Sequence, residues 1–277
     1  DGSINAADIP HIATETKIYC APEDSVLAVF NARAEYPDAS IALLNFANYN
    51  TPGGGYINGS RAQEECICME STLYNVLSKC DAYYDDHKDE TFSLYHDDLL
   101  VSDDIVFHRN DDVTKASVIT CAAPYKSSAI RTFGVPAYKV NQAMYSRCEA
   151  VLYAAAMEKV DVLILGAFGC GVFGNSAEFV AETFKELLET DYKNVFKEVI
   201  FAVPDFDKKN ITTFMKVFGT KDFVEGKTNE KSPYGEALFP YYLYFNTEKD
   251  FGKKNNGYAI IYAASKNLAK QIYAEKN

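Results

Sequence analysis

The chain has 277 residues, 48% hydrophobic and 14% aromatic, enough to fill the core of one large domain or two small ones. Its formal net charge of −12 has the wrong sign for holding nucleic acid by counterion release, and no Lys/Arg cluster overrules the total. Direct DNA binding is therefore not expected, and any phosphate ligand has to be caught locally.

No apolar run approaches the roughly 20 residues that cross a bilayer, and the opening stretch lacks the basic-then-apolar layout of a secretion signal. The expectation is no membrane and a cytoplasmic setting, or a nuclear one in a eukaryote. Cys20, Cys66, Cys68, Cys80, Cys121, Cys148 and Cys170 are odd in number and scattered, unlike a disulfide framework, so they read as reduced thiols. Cys66 and Cys68 form C-x-C without a second pair at finger spacing, and His11, His87, His96 and His108 make no H-E-x-x-H, so no metal is expected.

In chain order, the pattern predicts a helix over 24–36 and a buried strand over 41–48 ("IALLNFAN"). A helix over 62–78 follows, with Cys66, Met69, Leu73, Val76 and Leu77 at helical spacing. The acidic, aromatic segment 79–98 has no clear period and reads as a surface excursion. Strands are then predicted over 104–108, 116–124, 161–168 and 198–205, and helices over 141–157, 176–189 and 212–218. Nearly continuous apolar strands separated by helices point to a mostly parallel central sheet covered on both faces, an α/β/α sandwich. Without repeat or linker, 1–277 reads as one domain with a core of about 16–223; the extension 224–277 suggests a strand followed by a helix.

Two glycine-rich loops leave the ends of predicted strands. The later one, "GAFGCGVFGNSAEF", places Gly169, Gly171 and Gly174 in a G-x-G-x-x-G arrangement that opens a helix near Ser176. Bare backbone there lets N–H groups and a helix N-terminus approach a diphosphate, although a plain tight turn also explains glycines. The earlier one, "NTPGGGYINGSRAQEE", runs from Asn50 to Glu65 and joins three consecutive glycines to an acid pair. In a parallel sheet both loops emerge at the carboxyl edge, which suggests one diphosphate gripped from two sides by main-chain amides.

Gly53-Gly54-Gly55, a seven-residue spacer and Gln63-Glu64-Glu65, set among "NFAN", "NGSRAQEE", "STLY" and "VLILGAFGCGVFGN", resemble the signature of microbial-type poly(ADP-ribose) glycohydrolases. The resemblance runs from about Val29 to Asp205. It implies a macrodomain-like fold, a metal-independent and cofactor-free site, ADP-ribose and poly(ADP-ribose) as ligands, and ADP-ribosylated proteins as carriers. It also implies that Glu65 is the catalytic acid, protonating the departing 2′ oxygen and then activating water. Glu64 and Asn48 would hold the ribose being cleaved. Gly53, Gly54, Gly55 and Gln63 would form the catalytic loop, with Gly169, Cys170, Gly171, Val172, Phe173, Gly174 and Asn175 as the diphosphate loop and Phe173 packed on the ribose. Cys170 would contribute its backbone amide rather than its thiol.

Adjacent helical side chains diverge by about 100°, so the two acids cannot flank the bond as in an ordinary glycosidase. One acid must therefore take the proton work while its neighbour positions the sugar; the resemblance gives the first role to Glu65, and the neighbouring Glu64, exclusion of water and a bound diphosphate favour a proton on it when substrate arrives. Alternative functions are an ADP-ribose reader without turnover, removal of single ADP-ribose units, or a dinucleotide-dependent oxidoreductase resting on the later glycines alone. The acidic first turn at Gln63-Glu64-Glu65 also has an ordinary explanation, and Arg61 is unassigned.

Overall fold

Five strands run in one direction because the chain returns through helices between them. A computed structural model describes residues 9–12, 14–87, 91–204, 208–221, 239–247 and 255–263. These fall into two compact units, within Asp1–Lys221 and Asp222–Asn277.

The first unit holds a six-stranded sheet. Its strands are β1 (Lys17–Ala21), β2 (Ile41–Phe46), β3 (Leu100–Arg109), β4 (Asp112–Cys121), β5 (Val162–Leu165) and β6 (Glu198–Ala202), in the order β1-β6-β5-β2-β4-β3. All neighbours are parallel except the β3/β4 hairpin. That hairpin closes the sheet at one edge, and its turn passes through Asn110 at φ +54°.

Alternation along the strands sorts the side chains into two cores. In β2, Ala42 and Leu44 pack toward α6 (Ala137–Met157), α7 (Ala177–Glu189) and α8 (Lys208–Phe218). Ile41 and Leu43 pack toward α1 (Ser25–Glu35), α2 (Gln63–Met69), α3 (Leu73–Leu77) and α4 (Asp81–Asp86). The short α5 (Lys126–Arg131) precedes α6. This is the expected three-layer α/β/α sandwich.

Three expectations change. The predicted helix 62–78 is two helices, because the backbone at 70–72 pairs with β3: Thr72 N–H donates to the Val106 carbonyl at 3.0 Å, and His108 N–H to Glu70 at 2.9 Å. Sheet hydrogen bonds outcompete helical spacing there. Segment 79–98 is no mere surface excursion: Tyr84 is 4% and His87 2% exposed. Strand β1 was not anticipated; its five residues are too few for a period to stand out.

In the second unit, β7 (Phe239–Thr247) and β8 (Asn255–Ala263) form an antiparallel pair. The helix expected beyond it lies outside the described residues. All seven cysteines are free thiols. Among the described residues no helix is long and apolar enough to cross a membrane, and no cluster of three His, Cys, Asp or Glu side chains could hold a metal.

Candidate active site

β2 and β5 are hydrogen-bonded neighbours, so the loops that leave their carboxyl ends rise side by side. Between them opens a cleft of about 400 Å³. Phe46, Ala47 and Gln63 line it from the earlier loop and α2, and Gly169, Gly171, Val172 and Phe173 from the later one. Its position, outside the carboxyl ends of a parallel sheet, is where such folds bind ligands.

Gln63 lines the wall, but its amide is engaged by the scaffold: Oε1 accepts from Phe46 N–H at 2.9 Å, and Nε2 donates to the Leu44 carbonyl at 2.8 Å and Ser25 Oγ at 3.1 Å. It fixes the start of α2 against β2. Glu64 and Glu65 do not line the cleft itself; they are 3% and 7% exposed behind the glycine turn.

The earlier loop folds its amides inward onto these two acids. Gly55 N–H donates to Glu65 Oε1 at 2.8 Å, Asn48 N–H to Glu64 Oε2 at 2.7 Å and Asn45 Nδ2 to Glu64 Oε1 at 3.2 Å. Gly53 N–H also bonds Glu64, and Gly54 N–H goes to the Thr51 carbonyl at 3.0 Å. Within the earlier loop the Gly55 amide is thus engaged by a carboxylate of its own chain. Gly54 makes the close approach possible. At φ +57°, an added Cβ would lie 2.6 Å from Glu65 Oε1 and 2.9 Å from Glu64 Oε2. Although adjacent helical side chains start out diverging, these two are long enough for their tips to converge on one glycine.

Burial pushes the Glu64 carboxyl up to about 8, with the Glu65 charge adding to it, against the pull of the Asn48, Asn45 and Gly53 donors. Glu65 Oε2 is buried without a hydrogen-bond partner among the described residues.

The later loop does the reverse. Gly171, Val172 and Phe173 have N–H groups with no acceptor among the described residues, and all three line the cleft. A run of successive free amides is an anion-binding concavity, and α7 begins just after it with Ser176 as N-cap. Cys170, Gly174 and Asn175 do not join it: their amides donate to the carbonyls of Ala167, Gly171 and Gly169 at 3.1, 3.0 and 3.1 Å. The Asn175 side chain holds Pro124 and Gly169 carbonyls, closing the turn from beneath. Phe173 is half-buried and stacks on Tyr125, centroids 4.8 Å apart.

The far end of the cleft was missed in the sequence. Asp24, Ser25 and Val26 reach it after β1, and Val203, Pro204 and Asn210 after β6. The available signal was Asp24 as a helix cap; its side chain accepts from Leu27 N–H at 2.9 Å. Arg61 also lines the wall.

A macrodomain-like sandwich with an amide cradle on one side of its cleft and a buried acid pair behind the other defines the class. A family model described as "Microbial-type PARG, catalytic domain" matches residues 5–110. Poly(ADP-ribose) glycohydrolase from Thermomonospora curvata is 30% identical, covering 76% of this chain and 81% of that one at a TM-score of 0.71. The same organism's enzyme bound to the inhibitor ADP-HPD is 32% identical over 73% and 78%, TM-score 0.68. The Deinococcus radiodurans enzyme in complex with ADP-ribose is 32% identical over 74% and 85%, TM-score 0.68. No curated protein sequence matches. The chain belongs to the microbial-type poly(ADP-ribose) glycohydrolase family.

Proposed function

We propose that the protein hydrolyses the ribose–ribose O-glycosidic bond of poly(ADP-ribose), releasing ADP-ribose from the chain terminus, with ADP-ribosylated proteins as carriers. The diphosphate sits on the free amides of Gly171, Val172 and Phe173, where oriented N–H dipoles supply the positive potential an acidic protein otherwise lacks. The adenosine end extends toward Val26, Val203 and Asn210, and the terminal ribose lies against Phe173 and the glycine turn.

Glu65 is the acid and base. Its Oε1 is held by Gly55, so Oε2 is the oxygen available to the substrate. That unpartnered, buried oxygen carries the proposal: a carboxyl aligned through one oxygen and bare at the other is arranged for proton transfer. Glu65 Oε2–H protonates the departing 2′ oxygen as the C1″–O bond breaks, leaving an oxocarbenium-like sugar stabilised by the nearby diphosphate. Water then attacks C1″ and gives its proton to the Glu65 carboxylate, restoring the acid. Because Glu65 is 7% exposed, the scissile oxygen reaches it as the glycine turn yields around the bound sugar; contacts of this kind tighten in the substrate complex.

Glu64 and Asn48 hold the ribose hydroxyls. Burial raises the proton affinity of the Glu64 carboxyl, so this neighbour of Glu65 can meet a ribose hydroxyl with its proton in place at neutral pH.

Labelled poly(ADP-ribose) incubated with wild type and Glu65→Gln tests this. Release of ADP-ribose falls on the order of 10³-fold in the variant while ADP-ribose affinity is retained. Equal inactivity of both proteins, with binding intact, points to a reader; binding of NAD without ADP-ribose points to an oxidoreductase.

A further inference from the structure

Beneath the earlier glycine loop lies an arrangement that the proton chemistry at Glu65 does not use. His87, 2% exposed, has Nδ1 2.8 Å from the Tyr49 carbonyl oxygen and Nε2 2.7 Å from Asp98 Oδ2. A carbonyl and a carboxylate only accept hydrogen bonds, so satisfying both requires a proton on each ring nitrogen. Asp98 matches the resulting charge, and the imidazole lies flat on the Tyr49 ring, centroids 4.2 Å apart and 6° from parallel, where an aromatic face attracts a cation.

The surroundings restrain the ring further. Tyr83 of α4 meets it edge-on at 4.1 Å, and the His96 ring is 6.4 Å away. Tyr95 stacks on Tyr49 at 3.9 Å. Among the described residues, Tyr84 on α4, Cys121 at the end of β4, and Arg147 of α6 with its partner Asp97 are further titratable and charged groups around this pocket.

Tyr49 belongs to the loop that carries Asn48. The Tyr49–Asn50 peptide presents its carbonyl to His87 and its N–H to Asn48 Oδ1 at 3.2 Å, so one peptide plane is gripped from both edges. Thr51 N–H takes the same Asn48 oxygen at 3.1 Å. With Oδ1 so engaged, Nδ2 is the Asn48 group left for a ribose hydroxyl, while the Asn48 backbone N–H holds Glu64.

We propose that His87, protonated on both ring nitrogens between Asp98 and the Tyr49 carbonyl, is a positioning residue that fixes the Tyr49–Asn50 peptide and, through it, the ribose-holding Asn48 and Glu64. This rests on the glycohydrolase reading of the same site. Without a proton on Nδ1 the ring has nothing to donate to the Tyr49 carbonyl, and the peptide loses that anchor.

The test combines ¹⁵N-imidazole NMR of the wild type with kcat/KM against pH for wild type, His87→Ala, His87→Gln and Asp98→Asn. Throughout the pH range of full activity both His87 nitrogens report N–H, and activity falls on the alkaline side together with the loss of one proton. His87→Gln still donates to the carbonyl but does not titrate, so it keeps activity and loses that limb. His87→Ala lowers kcat/KM by about tenfold to a hundredfold, the scale of a small misplacement of reacting groups. Asp98→Asn moves both the NMR titration and the activity limb to lower pH. A singly protonated His87 at full activity, or a His87→Gln profile with the wild-type limb, overturns the proposal. If the wild type releases no ADP-ribose at any pH, the function reading fails; the NMR titration, followed with ADP-ribose affinity in place of turnover, still decides the role of His87.

Discussion

The two glycine loops leave neighbouring strands and look alike in composition, yet they use their backbone in opposite directions. The loop after β2 turns the amides of Gly53 and Gly55 inward onto Glu64 and Glu65; in the loop after β5 the N–H groups of Gly171, Val172 and Phe173, residues that line the cleft, have no acceptor among the described residues. One loop organises the protein's own anions, and the other keeps the amides on which the proposed diphosphate would sit.

Matched substitutions separate the two roles. Gly54→Ala places a Cβ between the carboxyl tips at a backbone φ of +57°, so release of ADP-ribose falls about a hundredfold. The same variant loses about 1–3 kcal/mol of stability, read by thermal unfolding, from strain alone. Its ADP-ribose affinity changes far less than its turnover. Gly169→Ala, at φ +69° and with its Cβ 2.7 Å from Asn175 Nδ2, distorts the amide run instead. The expected result is a Kd for ADP-ribose raised about tenfold, the loss of one good hydrogen bond to an anion, with kcat at saturation near wild type. Calorimetry beside single-turnover rates distinguishes these patterns, and if both variants lose affinity equally the division of labour is wrong.

Glu64 gives a subtler signature. Its carboxyl is raised from about 4.5 to about 8 in the fold, chiefly by burial. Across that window the folded state holds a proton that the unfolded chain has released, so this group's stabilisation is complete below the window and is lost as pH rises through it. Glu64→Gln removes the dependence. Its Tm relative to wild type therefore improves steadily between those pH values; a constant difference contradicts the burial argument. Cys170→Ser has the smallest effect, ADP-ribose affinity within about twofold of wild type, as expected of a side chain outside the binding machinery. Its thiol is 3.4 Å from the Phe168 carbonyl and its amide serves Ala167.

Much of the frame was legible. The apolar runs at 41–46, 116–121, 162–165 and 198–202 are buried on both faces and stand out as strands, and the spacing of Gly53–Gly55 from Gln63-Glu64-Glu65 located the acid pair. What the sequence hid was pairing. The break after α2 comes from β3 capturing Thr72, a contact 34 residues distant that helical periodicity cannot register. The destination of each loop amide is likewise a three-dimensional matter: Gly55 and Gly171 carry the same group, and only folding gives one Glu65 as its acceptor and leaves the other without one among the described residues. His87 was read as one of four unconnected histidines because Tyr49 and Asp98 meet it from segments 38 and 11 residues away.

The most direct test is a crystal structure of Glu65→Gln with ADP-ribose. The account predicts diphosphate oxygens on the amides of Gly171, Val172 and Phe173, with Gly53 and Gly55 still turned toward positions 64 and 65 and the ribose C1″ beside residue 65. Diphosphate seated on the Gly53–Gly55 amides, or a ribose pointing away from residue 65, would contradict it.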